Sequence, residues 1–507
     1  MARVKKVNSD ITGLSYALEE SLGVLPAAPV WVSLEPNGYS DFGGEITLLA
    51  RNPINPSRQR KKGVVTDKNA SAGWGTDLTQ ENFQDLVQGF MFADSRTKDQ
   101  IAISSTDAAG YEPLLANSGD GYAEGDLLYA KNFSDDAANG LKIVEGTPVA
   151  GEVPISTPLP DLLGESGTIT RVGYKFDAGD ASIDVTGTRP ALVTILKDLT
   201  TLGLTIGEFV FIGGDGSGES FDSDANNNFA RVRKIEASRI EFDKTGATFV
   251  NDSGAANSIA LFFGNVCKNE TGSLIKRRSY NLERQLGFSD DSKPAEIQSE
   301  YVEGAVPSEL SLNIPSADKV QMDITFQGTN ATVRDGVVGV KSGSRPRRIE
   351  SSAFNTSDNV PRVHLAVVDP ANASPEPLFA FAQDITITIN NNVTTDKAIG
   401  VLGAFEVTAG TFEVGGDMTA YFSDVAAIQS VTNNADITLD LHMVKENQGV
   451  SLDMPLISLG DGRPNVEKDQ AITLPLGVEA ATGAKIDVNL DHTLLWTFWD
   501  YLPDLAS

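Results

Sequence analysis

Cysteine occurs once in the 507 residues, at Cys267, so no disulfide can form within a chain. Stability has to come from packing, from assembly, or from both, and the single thiol fits folding in a reducing compartment. Histidine is scarce too: His364, His442 and His492 stand in no zinc-protease or paired metal-ligand spacing, which leaves structural histidines as the default. There is no G-x-x-x-x-G-K-[ST] loop, no G-x-S-x-G elbow and no local Cys/His signature, so neither an enzyme nor a cofactor is expected. Positive charge is in deficit, with Lys+Arg 40 against Asp+Glu 69 and a net charge of -29, which excludes general affinity for phosphate backbones. No apolar stretch approaches the ~20 residues of a membrane span. The basic opening MARVKKVNSD lacks the apolar run of a signal peptide, so a soluble protein made in the cytosol, without a membrane partner, is expected.

Gly 47, Pro 23 and frequent Thr, Val, Asn and Asp point to mainly antiparallel β structure, in a chain long enough for about three domains. Its organising stretch runs from Gly304 to Asn330. Leu310, Leu312 and Ile314 alternate with Glu309, Ser311 and Asn313. After a turn at Pro315 to Asp318, Met322, Ile324 and Phe326 alternate with Gln321, Asp323 and Thr325. Period two over both runs predicts a long hairpin with one face on a core and the other in water. The stretch from Gly403 to Asp424 reads as a second such hairpin, turning at Gly415, Gly416 and Asp417, with Phe405, Val407, Met418, Ala420 and Phe422 as its apolar face. A supersecondary unit carried twice suggests a domain carried twice.

Leu14, Ala17, Leu18 and Leu22 recur at helical spacing and predict a short helix within Asp10 to Gly23. Glu45 to Leu49 and Gly63 to Asp67 read as strands, separated by a Pro53 to Ser57 segment that cannot continue them. Arg51, Arg58, Arg60, Lys61 and Lys62 form the one dense basic cluster. In so acidic a chain a solvated loop, or an inter-subunit contact with acidic neighbours, is favoured over a grip on nucleic acid. Asp77 and Gln80 are spaced as a capping box, and Phe83, Leu86, Val87 and Phe90 form the stripe of an amphipathic helix. From Gly110 to Lys268 the chain is rich in Gly, Asp and Ser, and GDLLYAKNFSDDAANGLKIVEG from Gly125 is echoed by the segment opening GEFVFIGG at Gly207. Two such halves suggest a small inserted β-barrel or sandwich. Asp222, Asp224 and Asn226 begin like a calcium loop, but Asn227 and Arg233 stand where glycine and the bidentate glutamate belong. No metal ligands are assigned. The Gly213–Gly216 run would cradle an anion only if a helix followed it. Further on, Ile385, Ile387 and Ile389 alternate with Thr386 and Thr388, Ser423 to Asn433 offers a short helix, and Ile437–Val444 with Val450–Leu459 reads as a strand pair. Trp496, Phe498 and Trp499 near the end are expected to dock, because so large an apolar surface is costly to expose.

ITLLARNPINPSRQRKKGVVTD followed by DLTQENFQDLVQGF, and SYNLERQL with VPSELSLNIPSADKVQMDITFQG, resemble the major tail tube proteins of long, non-contractile-tailed bacteriophages. The resemblance covers roughly the first hundred residues and most of the chain after Tyr280. It implies a mainly β fold in which a β-sandwich with short flanking helices lends long hairpins to an inner barrel; the repeat departs from the family's single domain and gives two tail-tube-type β-sandwich domains here, plus the inserted small β domain, so three chains per ring are expected in place of the usual six. The expected division is an N-terminal arm (1–41), a first tube domain (42–107 and 262–335), an inserted domain on the outer surface (108–261), a linker (336–360), and a second tube domain with a C-terminal arm (361–507). Removal of the insert is expected to leave assembly intact. The implied function is a structural virion protein, made in the host cytoplasm, that polymerises into stacked rings of the tail tube and forms a conduit for DNA ejection. The expected partners are copies of itself, as trimeric rings with pseudo-six-fold symmetry, and the tape measure, tail terminator and distal tail proteins; DNA passes without specific binding. Glu309, Ser311, Asn313, Gln321, Asp323, Thr325, Thr386, Thr388, Glu406, Thr408, Asp417 and Thr419 are the residues expected to face the lumen. The rival class is a soluble β-rich adhesin or carbohydrate-binding protein with the insert as its binding module. A polysaccharide-cleaving enzyme is a third reading, for which no carboxylate pair stands out.

Overall fold

The computed structural model describes residues 7, 12–52, 54, 56, 58–115, 118–149, 151–243, 248–288, 297–346, 351–368, 376–378 and 381–507. The chain is mainly β. Its strands form two large antiparallel sheets and a third of two strands, and among the described residues there are two short α-helices. It divides into two compact units, each of three segments: residues 1–93, 271–353 and 384–417 in the first, and 94–270, 354–383 and 418–507 in the second.

In the first unit β1 (Gly13–Leu18) stands where helical spacing predicts a helix; residues 10 and 11 lie outside the described residues. Leu14 to Ala17 are buried in succession, flanked by Val32–Leu34 on one side and β4 (Tyr280–Phe288) on the other. Burial on both faces removes the alternation that marks a strand, so i, i+3 and i+4 coincidences mislead. β2 (Gly38–Leu49) and β3 (Val64–Asp77) make a long hairpin around the basic loop. The turn expected from Pro315 to Asp318 separates β5 (Ile297–Pro315) from β6 (Gln321–Gly328), whose register runs Leu310↔Ile324 and Leu312↔Met322. β3 pairs with β6 on its far side, and β5 pairs with β7 (Ala382–Asn390) from Glu309↔Asn390 to Pro315↔Asp384.

The apolar face of this sheet is covered by the Phe83 region, although the helix expected from Asp77 is only α1 (Val87–Met91). Upstream, Thr79 and Asn82 exchange side-chain bonds with each other's amides at 3.1 and 3.2 Å, and Asn82 Nδ2 donates to the Asp77 carbonyl at 2.7 Å. Those bonds hold residues 79–82 in a capped turn, where short polar side chains compete with helical hydrogen bonding. Phe83, Leu86, Val87 and Phe90 are all buried, and Phe90 meets Phe326 edge to face at 5.6 Å while Trp74 stacks on Phe326 at 5.3 Å.

The hairpin expected from Gly403 to Asp424 is not formed. Gly415, Gly416 and Asp417 lie inside one strand, β10 (Glu413–Tyr421), and Phe405 is exposed. The two-stranded sheet of β8 (Thr394–Asp396) and β9 (Glu406–Thr408) belongs to the excursion joining β7 to β10. Gly416 lies so close to β7 that a Cβ there would stand 1.9 Å from the Thr386 carbonyl oxygen. Glycine is therefore required within the strand by backbone approach and does not mark a turn.

In the second unit, β10 pairs with β13 (Thr473–Ala481), β13 with β12 (Gln448–Asp461), and β12 with β11 (Ile437–Lys445). The helix expected at Ser423 to Asn433 is α2 (Val425–Thr432), capped by the Asp424 carboxylate on the Ala426 amide. The order of pairings therefore occurs twice along the chain: β2·β3, β3·β6, β6·β5 and β5·β4, then β7·β10, β10·β13, β13·β12 and β12·β11. A helix follows the first hairpin each time. β14 (Leu495–Trp499) docks between β12 and Asn265–Lys268, with Trp496, Phe498 and Trp499 buried.

Between residues 100 and 262 the second unit carries the second large sheet. The echo at Gly125 and Gly207 is a structural repeat. Asp126–Lys131 pairs with Gly140–Ile143, and Phe209–Ile212 with Phe229–Glu236. In each intervening loop one asparagine, Asn139 or Asn227, accepts from the amide and donates to the carbonyl of a phenylalanine six residues earlier, Phe133 or Phe221. Gly125 and Gly207 both open at positive φ, +87° and +95°. A side chain at Gly125 would meet the Lys175 carbonyl at 2.8 Å, and one at Gly207 the His492 ring at 2.5 Å.

Candidate functional site

Cross-strand register brings most of the expected polar residues onto one face. Thr325, Glu309 and Asn390 stand in one row, Asp323, Ser311 and Thr388 in the next, and Gln321, Asn313 and Thr386 in a third. β2 and β3 extend these rows with Asp41 and Gly73, Gly38 and Gly75, and Asp77. Reading each hairpin by itself misses these residues, because nothing local in the sequence says that β3 lies against β6. Asn313 Nδ2 donates to Asp323 at 3.1 Å and Thr386 Oγ1 to Asn313 at 3.3 Å, so the polar groups partly satisfy one another. The alternate residues, Leu310, Leu312, Ile314, Met322, Ile324, Ile385, Ile387 and Ile389, are all buried. Asp417 and Thr419 take the polar positions of β10, on either side of buried Met418. Glu406 and Thr408 are on the separate two-stranded sheet, where Thr408 donates to Asp396 at 2.6 Å.

Two lysines reach carboxylates of these strands. Lys319 bonds Asp77 at 2.6 Å, which raises the lysine pKa, and Lys397 bonds Asp67 together with Asn69, which lowers the Asp67 pKa. These two lysines are thus each matched to an acid.

The three histidines converge elsewhere, in the second unit, on two aspartates opposite each other in the β11·β12 register, Asp440↔Asp453. Asp440 meets Arg362 at 2.7 Å, His364 at 2.9 Å and His442 at 3.3 Å. Asp453 meets Arg231 at 2.6 Å and His492 at 3.2 Å. His442 also bonds Ser451 at 2.7 Å and stacks on Phe229 at 4.0 Å. Burial would raise the Asp440 pKa, but Arg362 and its two histidines outweigh it and hold the carboxyl well below its ordinary range. Burial pushes His442 and His492 below 6.5, the aspartates opposing only in part. The folded chain therefore binds fewer protons than the unfolded chain at mildly acid pH, so this contribution to stability is complete above about pH 6.5 and lost as pH falls. Denaturant midpoints of unassembled protein are expected to fall between about pH 6.5 and 5, as the unfolding free energy drops by at most about 1.4 kcal/mol per pH unit for each proton taken up. A flat midpoint from pH 8 to pH 5 would remove both histidines from that account.

Among the described residues no group of three His, Cys, Asp or Glu side chains is placed to hold a metal ion. Asn226 is buried and accepts from the Val250 amide at 3.0 Å, and Asp222 accepts from Asn257 at 3.2 Å, so this loop is internally bonded. The Gly216 amide donates to Glu219 at 3.1 Å, a carboxylate of the protein itself where an anion would have to bind.

The chain is thus β-rich, with a polar face on its long hairpins and with its histidines bonded to buried aspartates. It matches the phage tail tube protein family over residues 9–480 and belongs to that family, whose members are non-enzymatic structural components of the virion tail. No individual curated protein gives a match.

Proposed function

We propose that this protein assembles as rings of three chains with pseudo-six-fold symmetry, that the rings stack helically into the tail tube, and that the polar face of the long hairpins lines the bore through which DNA leaves. The observation that carries this reading is the strand pattern present twice in one chain, with β5 of the first pattern paired to β7 of the second. The same junction is available at the other end of the pattern. Among the described residues β2 has its register with β3 alone, and β12 beyond Ile457 has its register with β13 alone. A neighbouring β2 added along β12 would repeat the β5·β7 junction and close a barrel without free edges. In a closed barrel the face opposite the packed core looks into the lumen. The middle region stands outside the repeated pattern, and its many loops fit the outer surface of the tube.

The expected result is rods in negative stain whose layers have three chains and six nearly equivalent densities. Layers of six identical chains would overturn the three-chain ring, and discrete oligomers at every concentration would overturn the tube.

A further inference from the structure

Lys341 lies outside any strand, just past a turn at Gly336–Val338, yet its side chain reaches two strands of the first unit. Nζ donates to Glu303 of β5 at 2.7 Å and to Oδ1 of Asn281 of β4 at 3.2 Å. The β4·β5 register shifts between Tyr280 and Leu282, so Asn281 stands in a bulge, where a side chain can be re-aimed. At the other end of the same amide, Asn281 Nδ2 donates to Glu19 at 3.3 Å, and the Gly23 and Gly304 amides and the Ser279 hydroxyl hold that carboxylate in place. An ammonium on one side and a carboxylate on the other fix which end of the amide is oxygen. Glu303 is held in turn by Asn330 at 3.0 Å and Thr332 at 3.1 Å. Nζ lies 4.5 Å over the ring of Tyr301, which Trp31 backs edge to face, and both aromatics are fully buried. Asn281 itself is 1% exposed.

We propose that Lys341, Asn281 and Glu303 are an autocatalytic cross-linking site, at which the lysine and the asparagine join in an amide bond within the chain. Glu303 takes a proton from the Lys341 ammonium and so frees the lone pair of Nζ. Nζ then adds to Cγ of Asn281 and the Cγ–Nδ2 bond breaks. The leaving nitrogen departs as ammonium with the two protons that Nζ has given up, one of them relayed by Glu303, so the carboxylate is restored and no oxidant is needed. Amines attack amides slowly in water, but holding the two groups in contact turns the step into a unimolecular one, with effective concentrations that can exceed about 10⁵ M. The aromatic wall and the burial of Asn281 keep bulk water from competing. Lys397 supplies the contrast. It also bonds a carboxylate and an asparagine, Asp67 and Asn69, but it is 40% exposed and Asn69 lies in water, so its ammonium stays hydrated and it is not expected to react. In a chain that can form no disulfide, the Asn281–Lys341 bond is a covalent tie spanning 60 residues of sequence.

The test is the intact mass of purified full-length protein, followed by peptide mapping. The folded protein is expected to be lighter than its sequence by one ammonia, and its digest to contain a branched peptide joining Asn281 to Lys341. Lys341→Arg keeps a cation beside Glu303 without the amine nucleophile, and Glu303→Gln removes the proton acceptor. Both variants are expected at full sequence mass with the circular dichroism spectrum of the wild type. Wild-type protein still at full mass after prolonged incubation would overturn the proposal. So would loss of ammonia without the branched peptide, the result expected of a succinimide at Asn37–Gly38 or Asn139–Gly140. A branched peptide joining Lys397 to Asn69 would overturn the argument from burial, and an unchanged Asn281–Lys341 link in Glu303→Gln would overturn the part given to Glu303.

Discussion

Replacing Arg231 by Met is expected to destabilise the second unit by about 3–5 kcal/mol, the cost of leaving buried carboxylates without their cation. The guanidinium is 1% exposed, with Nε 2.5 Å from Asp243, one terminal nitrogen 2.6 Å from Asp453, and a further bond to Thr438 at 3.2 Å. Burial pulls the arginine pKa down, and the two aspartates more than reverse this, so the group stays charged. Methionine has a similar length but no donors, so Asp243 and Asp453 would have to protonate or draw in water. Against a typical stability of about 5–15 kcal/mol this is a large fraction. The control is Arg231→Met with Asp243→Asn and Asp453→Asn, which removes the uncompensated charge and should recover much of the loss. A single Arg231→Met variant within about 1 kcal/mol of wild type in urea titration would show that the network is not stabilising as a unit. The same contacts reverse the expectation that residues 108–261 can be excised. Phe209, Phe211 and Phe229 pack with Val444 and Trp499 in one cluster, and Arg231 neutralises Asp453, so excision is expected to leave β11 and β12 with a stripped apolar surface and a bare carboxylate.

Changing Asp323 and Asp417 to Lys in every chain is expected to slow DNA ejection at low salt and to spare it at high salt. The residues proposed to line the bore include no Lys or Arg, and Lys319 and Lys397 are tied to Asp77 and Asp67. If those residues line the bore, a passing phosphate meets carboxylates and neutral groups there, which offer no counterion-releasing contacts. Both substituted positions are exposed, so the change is expected to alter charge without disturbing the buried alternate residues. If about six of the new cations contact phosphates at once, their hold on DNA weakens about a thousandfold between about 50 and 200 mM salt. Ejection should accordingly recover across that range, as screening shortens the interaction. Wild-type ejection rates at low salt from correctly assembled particles would place Asp323 and Asp417 off the DNA path.

Period-two alternation by itself determined the β5·β6 hairpin and the division of its residues between core and water, because each side chain there answers only to its own strand and its immediate partner. Composition determined the β class and the want of disulfides, and clustering of Trp496, Phe498 and Trp499 determined that the strand carrying them is buried. Local patterns failed wherever a distant segment supplied the partner. β1 reads as a helix because burial on both faces erases alternation, and residues 77–86 turn because Thr79 and Asn82 bond each other before a helix can propagate. Gly415 and Gly416 read as a turn, although both lie within β10 and Gly416 is needed where that strand crosses close to the Thr386 carbonyl. The hairpin at Gly403 to Asp424 that suggested a repeat is not formed, and the strand pattern that does recur was not legible in the sequence. Its first hairpin, β2 with β3, matches β7 with β10 across a long excursion, and only sheet pairing reveals this, because hydrogen-bond register between strands hundreds of residues apart leaves no trace in either strand alone. The burial of all three histidines against two facing aspartates was decided at the same level, since the charges that make it tolerable, on Arg231 and Arg362, come from elements that tertiary folding alone brings beside β11 and β12.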